Sequence, residues 1–330
     1  MLVKQRNFMP GPTSLLEDAV LAMSGPQARL NHRSPAFARL IASVRAGLQA
    51  FYRTRNDVIL LTASGSGAMD ACVSNTVMAG DHVVVLQAGK FGRRWAEFAT
   101  RQGALVHEIS APAGHSPPVA ALSEILNRFS GQVRCVFMQG CETSTGALMD
   151  VQALTSACQG HPDCLTVVDG ISWLGAHEVN TDALGIDLLV CGSQKALASP
   201  PGLAMVSVSK RGWQRIESLR QKSTITPRYF DLLRERDAQA NGQTAYTPAV
   251  PLIAALDASL RWVSGLENGV NTLVNNARCL AGATREALET LGLKSLPRTP
   301  ANSVSVFHAP QGMDSERFLE RLQSEHGVMV

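Results

Sequence analysis

Asp169 and Lys195 are the residues whose type and placement can do chemistry, and each follows a short apolar run. Leu165-Thr166-Val167-Val168 leads into Asp169-Gly170, and Asp187-Leu188-Leu189-Val190 leads into Cys191-Gly192-Ser193-Gln194-Lys195. Such runs, bounded by small and polar residues, read as buried strands. A strand ending this way delivers its next side chains to the carboxyl edge of a sheet, where open α/β folds bind ligands. A lysine pinned there and stripped of water favours the neutral amine that Schiff-base chemistry needs. Taken alone, the segment fits equally well a lysine that caps a strand or pairs with a carboxylate.

The elements around the pair narrow the choice. Val58–Ala63 reads as a strand, Ser64-Gly65-Ser66-Gly67 as a tight turn, and Ala68–Met78 as a helix. A glycine-rich turn at a helix N-terminus offers backbone N–H groups and the positive dipole end to an anion. By itself it is also compatible with a plain turn. His82–Leu86 is the next expected strand and runs into Ala88-Gly89-Lys90-Phe91. Val133–Met138 runs into Cys141-Glu142-Thr143-Ser144-Thr145-Gly146. Phe91 suits a core position or a ring-stacking one, and Thr143 a turn cap or a ligand contact. Strands alternating with helices from residue 58 to 210 predict an α/β fold with a mostly parallel, doubly wound sheet. On that topology Ser66, Phe91, Thr143, Asp169 and Lys195 all lie on one rim. A cofactor that needs an amine to form an imine, a carboxylate to keep a ring nitrogen protonated, and an anion site is pyridoxal 5'-phosphate.

Outside this stretch the expectations are coarser. Pro10-Gly11-Pro12 predicts an extended arm, with Thr13 or Ser14 capping a helix to about Met23. Asn31–Pro35 is a loop before a helix over 36–52. Tyr229–Arg236 reads as a short helix and Gln243–Pro248 as a loop. Two helices cover 249–263 and 266–291. A strand near 303–308 and a helix over 314–324 make a small α+β unit. At 330 residues, a large domain over 1–265 and a smaller one over 266–330 are expected. Lys+Arg 30 against Asp+Glu 27 gives +3, with no basic block, which argues against nucleic-acid or membrane-surface partners. Seven cysteines form no Cys-x-x-Cys pair and several lie in apolar runs, which suits reduced, buried thiols in a cytoplasmic protein.

The residues resemble a known family, the class V aminotransferases of fold type I, in the alanine/serine–glyoxylate (serine–pyruvate) group. The resemblance spans nearly the whole chain. It rests on Pro10-Gly11-Pro12-Thr13, His32-Arg33-Ser34-Pro35, Ala63-Ser64-Gly65-Ser66-Gly67, Glu142-Thr143-Ser144-Thr145-Gly146, Val168-Asp169-Gly170, Gly192-Ser193-Gln194-Lys195, Pro200-Pro201-Gly202 and Tyr246-Thr247-Pro248. It implies that Lys195 bonds the cofactor and moves the substrate proton, that Asp169 pairs with the ring nitrogen, and that Phe91 stacks on the ring. Thr143 would contact the ring oxygen, while Ser66, the Gly67 and Ala68 amides, Ser193 and Gln194 would hold the phosphate. It further implies a homodimer in which Tyr246 and Thr247 reach the partner's phosphate. The substrates would be a small amino acid, serine or alanine, and a 2-oxo acid, glyoxylate or pyruvate. 2-Aminoethylphosphonate or another amine, and a cofactor-binding subunit with little turnover, are the alternatives.

Two features depart from that family. Trp173 stands where a small residue is usual, and reads either as narrowing the substrate pocket or as packing. The family's substrate-carboxylate arginine lies beyond Val330, so the chain is expected to continue past an otherwise bare strand at 327–330. Arg33 is the next candidate for that carboxylate.

Overall fold

In the computed structural model, which describes residues 5–222, 227 and 229–330, the expected strands and one not singled out in the sequence, Ala204–Val208, assemble into one seven-stranded sheet. They are β1 (Asp57–Leu61), β2 (His82–Gln87), β3 (Leu105–Ser110), β4 (Val133–Gln139), β5 (Leu165–Asp169), β6 (Leu188–Gly192) and β7 (Ala204–Val208). Their spatial order is β1-β7-β6-β5-β4-β2-β3. β2 through β6 run parallel, and β7 is antiparallel to both β1 and β6. The chain changes direction across the sheet between β2 and β4. Open α/β sheets bind their ligands beyond the strand ends at such a reversal.

Apart from the edge strand β3, the strands are buried on both faces, and alternation sorts their side chains. Leu60, Leu86, Val168 and Leu189 join one core with α2 (Pro35–Tyr52), α5 (Val119–Arg128), α6 (Val151–Cys158) and α9 (Val250–Gly265). Ile59, Val85, Val167 and Val190 join the other with α3 (Gly65–Thr76), α4 (Lys90–Arg101) and α7 (Lys210–Lys222). Two residues beyond Val167 is one full pleat, so Asp169 faces α3 and α4 by parity alone. Six of the seven cysteines are buried, Cys279 is exposed, and none is paired. Among the described residues no helix is long and apolar enough to cross a membrane.

Several local expectations are corrected. The first helix, α1, spans Glu17–Ala22 with Leu16 at its N-cap, so Thr13 and Ser14 cap nothing. Thr13 instead donates N–H to Gln194 O (3.0 Å) and Oγ1–H to Lys195 O (2.9 Å). α3 begins at Gly65 rather than after the glycines, so the Ser-Gly-Ser-Gly turn is the first turn of the helix. The helix expected over 229–236 is α8 (Leu232–Ala240), capped by Asp231. α10 (Val270–Thr290) and α11 (Ser315–His326) follow. Strand structure in the 303–308 region is confined to Phe307–His308, paired with Lys294–Ser295. The strand at 328–329 is not bare: it pairs in parallel with Arg6–Asn7 of the N-terminal arm.

Candidate active site

Lys195 sits in the turn after β6, half-buried, under the N-terminal arm. Its Nζ donates to Pro10 O. The arm approaches so closely that any Cβ on Gly11, whose φ is +134°, would overlap the lysine side chain. Only glycine tolerates both that backbone and that contact. Leu16 N–H donates to Ala198 O (2.8 Å), and with the two Thr13 bonds this straps the arm across the lysine turn. Burial pushes the Lys195 amine below its ordinary value, against an opposing pull from Asp169.

Asp169 ends β5 with 4% of its surface exposed. Among the described residues its carboxylate accepts one hydrogen bond, from Ile171 N–H to Oδ1 (2.8 Å). Burial pushes its pKa up to about 6; Glu142 adds like charge, and the Ile171 amide, Arg94 and Lys195 oppose the rise.

Glu142 and Arg94, to which the sequence reading gave no role, organise the rest of the rim. Glu142 is fully buried. Its Oε2 accepts from Phe91 N and Gly92 N (3.0 Å each), and its Oε1 from Ser144 N and Oγ (3.1 and 2.6 Å). It thus caps α4 and ties the β4 turn to the segment carrying Phe91. Arg94 lies three residues after Phe91, on the same helix face. Its guanidinium covers the Phe91 ring at 5.0 Å, and its Nη1 donates to Ser66 Oγ (2.7 Å). An i, i+3 pairing with Phe91 was visible in the sequence, but the reach to Ser66 was not.

The other expected residues divide. Thr143 Oγ1 and Ser172 Oγ share a hydrogen bond of 2.5 Å. Gly67 and Ala68 N–H both donate to Ser64 O (2.8 and 3.2 Å), leaving the Gly65 and Ser66 N–H groups without a partner among the described residues. Ser193 Oγ donates to Pro200 O (2.6 Å), and Gln194 Oε1 is buried without a partner among the described residues. Tyr246 stacks on Tyr229 at 4.8 Å beneath Arg234, and Thr247 is exposed. Neither lines the cavity of about 250 Å³ at Lys195, whose walls include Thr13, Ser172, Leu273, Asn276 and Ser303. Arg33 does not line it either. Trp173 packs instead of narrowing it: the indole lies in the core against Gly140, where any Cβ would overlap it.

A carboxylate can accept about four hydrogen bonds, so Asp169 is left short, as is Gln194 Oε1. The Gly65 and Ser66 amides, unpaired among the described residues, and the Ser66 hydroxyl stand beside Arg94 on the same rim. This donor set suits a group bearing a protonated ring nitrogen, a ring oxygen, an aldehyde and a phosphate. It fits pyridoxal phosphate.

Fold and site together define a pyridoxal-phosphate-dependent enzyme of fold type I. Its sequence matches the aminotransferase class-V family over residues 18–330, and the chain belongs to that family. It is 34% identical over 325 residues to a soluble hydrogenase small subunit from Synechococcus sp., covering 98% of this chain and 83% of that protein. It is 32% identical over 315 residues to the L-aspartate–glyoxylate aminotransferase of Paracoccus denitrificans, covering 93% of this chain and 77% of that protein. The crystal structure of an alanine–glyoxylate aminotransferase from Nostoc sp. superposes with a TM-score of 0.92 at 26% identity, covering 100% of this chain and 86% of that one.

Proposed function

We propose that this aminotransferase moves the amino group of a small amino acid, alanine or serine, to glyoxylate. The observation that carries the reading is the desolvated Lys195 amine beside a buried, under-bonded Asp169. The choice of acceptor is supported by the glyoxylate aminotransferases among its relatives.

Bound at this rim, pyridoxal phosphate supplies a ring that accepts the electrons freed when a substrate Cα–H bond breaks. Asp169 would hold the proton on the ring nitrogen and so keep the ring electron-poor. Lys195 would anchor the cofactor, and its amine, its pKa lowered by burial, would be the group that moves the substrate Cα proton. Phe91 would support one ring face and Thr143 the ring-oxygen side. The Ser66 hydroxyl, the helix N-terminus behind it, Ser193 and Gln194 would hold the phosphate. The arm across Lys195 shields the amine from water.

The test is optical. The bound cofactor's absorption is expected to shift on adding L-alanine or L-serine and to return on adding glyoxylate, with glycine formed in step. A spectrum unmoved by any amino acid would reduce the protein to a cofactor-binding subunit. A response confined to aspartate would move the donor class.

A further inference from the structure

We infer that Arg94 is the charged ligand of the cofactor phosphate, reaching it from α4 alongside Ser66. The inference rests on the proposed placement of that phosphate at the N-terminus of α3. A phosphate monoester brings roughly −1.5 to −2 charge near neutral pH. The α3 N-terminus offers it the Gly65 and Ser66 N–H groups and the Ser66 hydroxyl, all uncharged. No lysine or arginine lies in the turn itself.

The fold supplies the cation from another element. Arg94 is partly buried, and its Nη1 already touches Ser66 Oγ at 2.7 Å. A guanidinium carries five N–H donors in a planar fork, so one bond to a hydroxyl leaves the others free for phosphate oxygens. Stacking over Phe91 at 5.0 Å fixes the plane of the fork before any ligand arrives, which lowers the entropy cost of binding. Glu142 holds the Phe91 and Gly92 amides and so fixes the turn from which Arg94 projects.

The experiment compares two ligands that differ only in the charged group. Apo-protein is titrated with pyridoxal phosphate and with pyridoxal by equilibrium dialysis, for the parent, R94Q and R94K. The parent is expected to prefer the phosphorylated form strongly. R94Q should bind pyridoxal phosphate about ten- to a hundredfold more weakly, the loss expected for a charge-assisted contact, with little change for pyridoxal. R94K should fall between. A parent preference left intact in R94Q overturns the inference while sparing the phosphate's placement. Equal weakening of both ligands also overturns it, because Arg94 would then act only by holding Phe91. A parent with no preference overturns the placement itself. If R94Q does not fold, as judged by its thermal melt, R94K and Ser66→Ala read the same ratio.

Discussion

Burial pushes the Asp169 carboxyl up to about 6 from an unfolded value of 3.8, which sets function and stability against each other at one residue. A carboxyl with a raised folded pKa holds its proton more tightly in the folded state. The stability it contributes is therefore full below about pH 4 and is lost as pH rises to about 6. The shift corresponds to about 3 kcal/mol. In the apo-protein, Asp169→Asn is expected to be more stable than the parent above pH 6 by up to that amount. The gap should close below pH 4 in urea unfolding run across the range, and a gap that ignores pH would show the carboxyl does not titrate there. The same variant should lose turnover far more than cofactor, since only a charge keeps the ring nitrogen protonated. Lys195→Ala should cost roughly three orders of magnitude in rate or more, because anchor and proton carrier go together. Borohydride trapping of the cofactor followed by peptide mapping should mark Lys195 in the parent. A mark on Lys90 or Lys210 would relocate the chemistry.

At the scale of elements, the arm and the sheet show what local sequence specifies and what it does not. Apolar runs bounded by glycine and polar residues gave most strands of the sheet to within a residue or two, though not Ala204–Val208, and strand parity was enough to aim Asp169 at α3 and α4. Such patterns are local, and each strand obeys its own. The arm does not. Thr13 looks like a helix cap, yet its N–H and hydroxyl are taken by Gln194 and Lys195, 181 and 182 residues away. Long-range backbone pairing outbids a local cap worth about 1 kcal/mol. Arg94 and Glu142 escaped notice for a related reason: their partners come from other strand ends and meet only once the sheet is built. The arm carries its own prediction. Gly11→Ala must relieve both a φ of +134° and an overlap with Lys195. It is expected to cost about 1–3 kcal/mol and to displace the arm, lowering cofactor occupancy even though Lys195 remains. Full occupancy with an unchanged melting temperature would mean the strap is dispensable.

For the molecule as a whole, the chain by itself leaves Tyr246 and Thr247 away from Lys195. Tyr246 is held in a stack with Tyr229 and Arg234, and Thr247 faces solvent. On the arm and α1, Phe8, Leu15, Val20 and Leu21 leave large apolar surfaces exposed, 66% of Phe8 and 61% of Leu21. Exposed apolar side chains gathered on one segment suit a protein–protein contact. On these two observations we propose a homodimer in which the tyrosine of one copy serves the site of the other. A stacked, pre-ordered Tyr246 would cross to the partner's phosphate with little entropy to lose. The protein is then expected to sediment as a dimer, and Tyr246→Phe should release cofactor more readily on dialysis while still sedimenting as one. Leu21→Glu should dissociate the copies and lower cofactor retention with it, because the phosphate would lose whatever the second copy provides. A monomer that keeps its cofactor and its turnover would show that one chain completes the site alone.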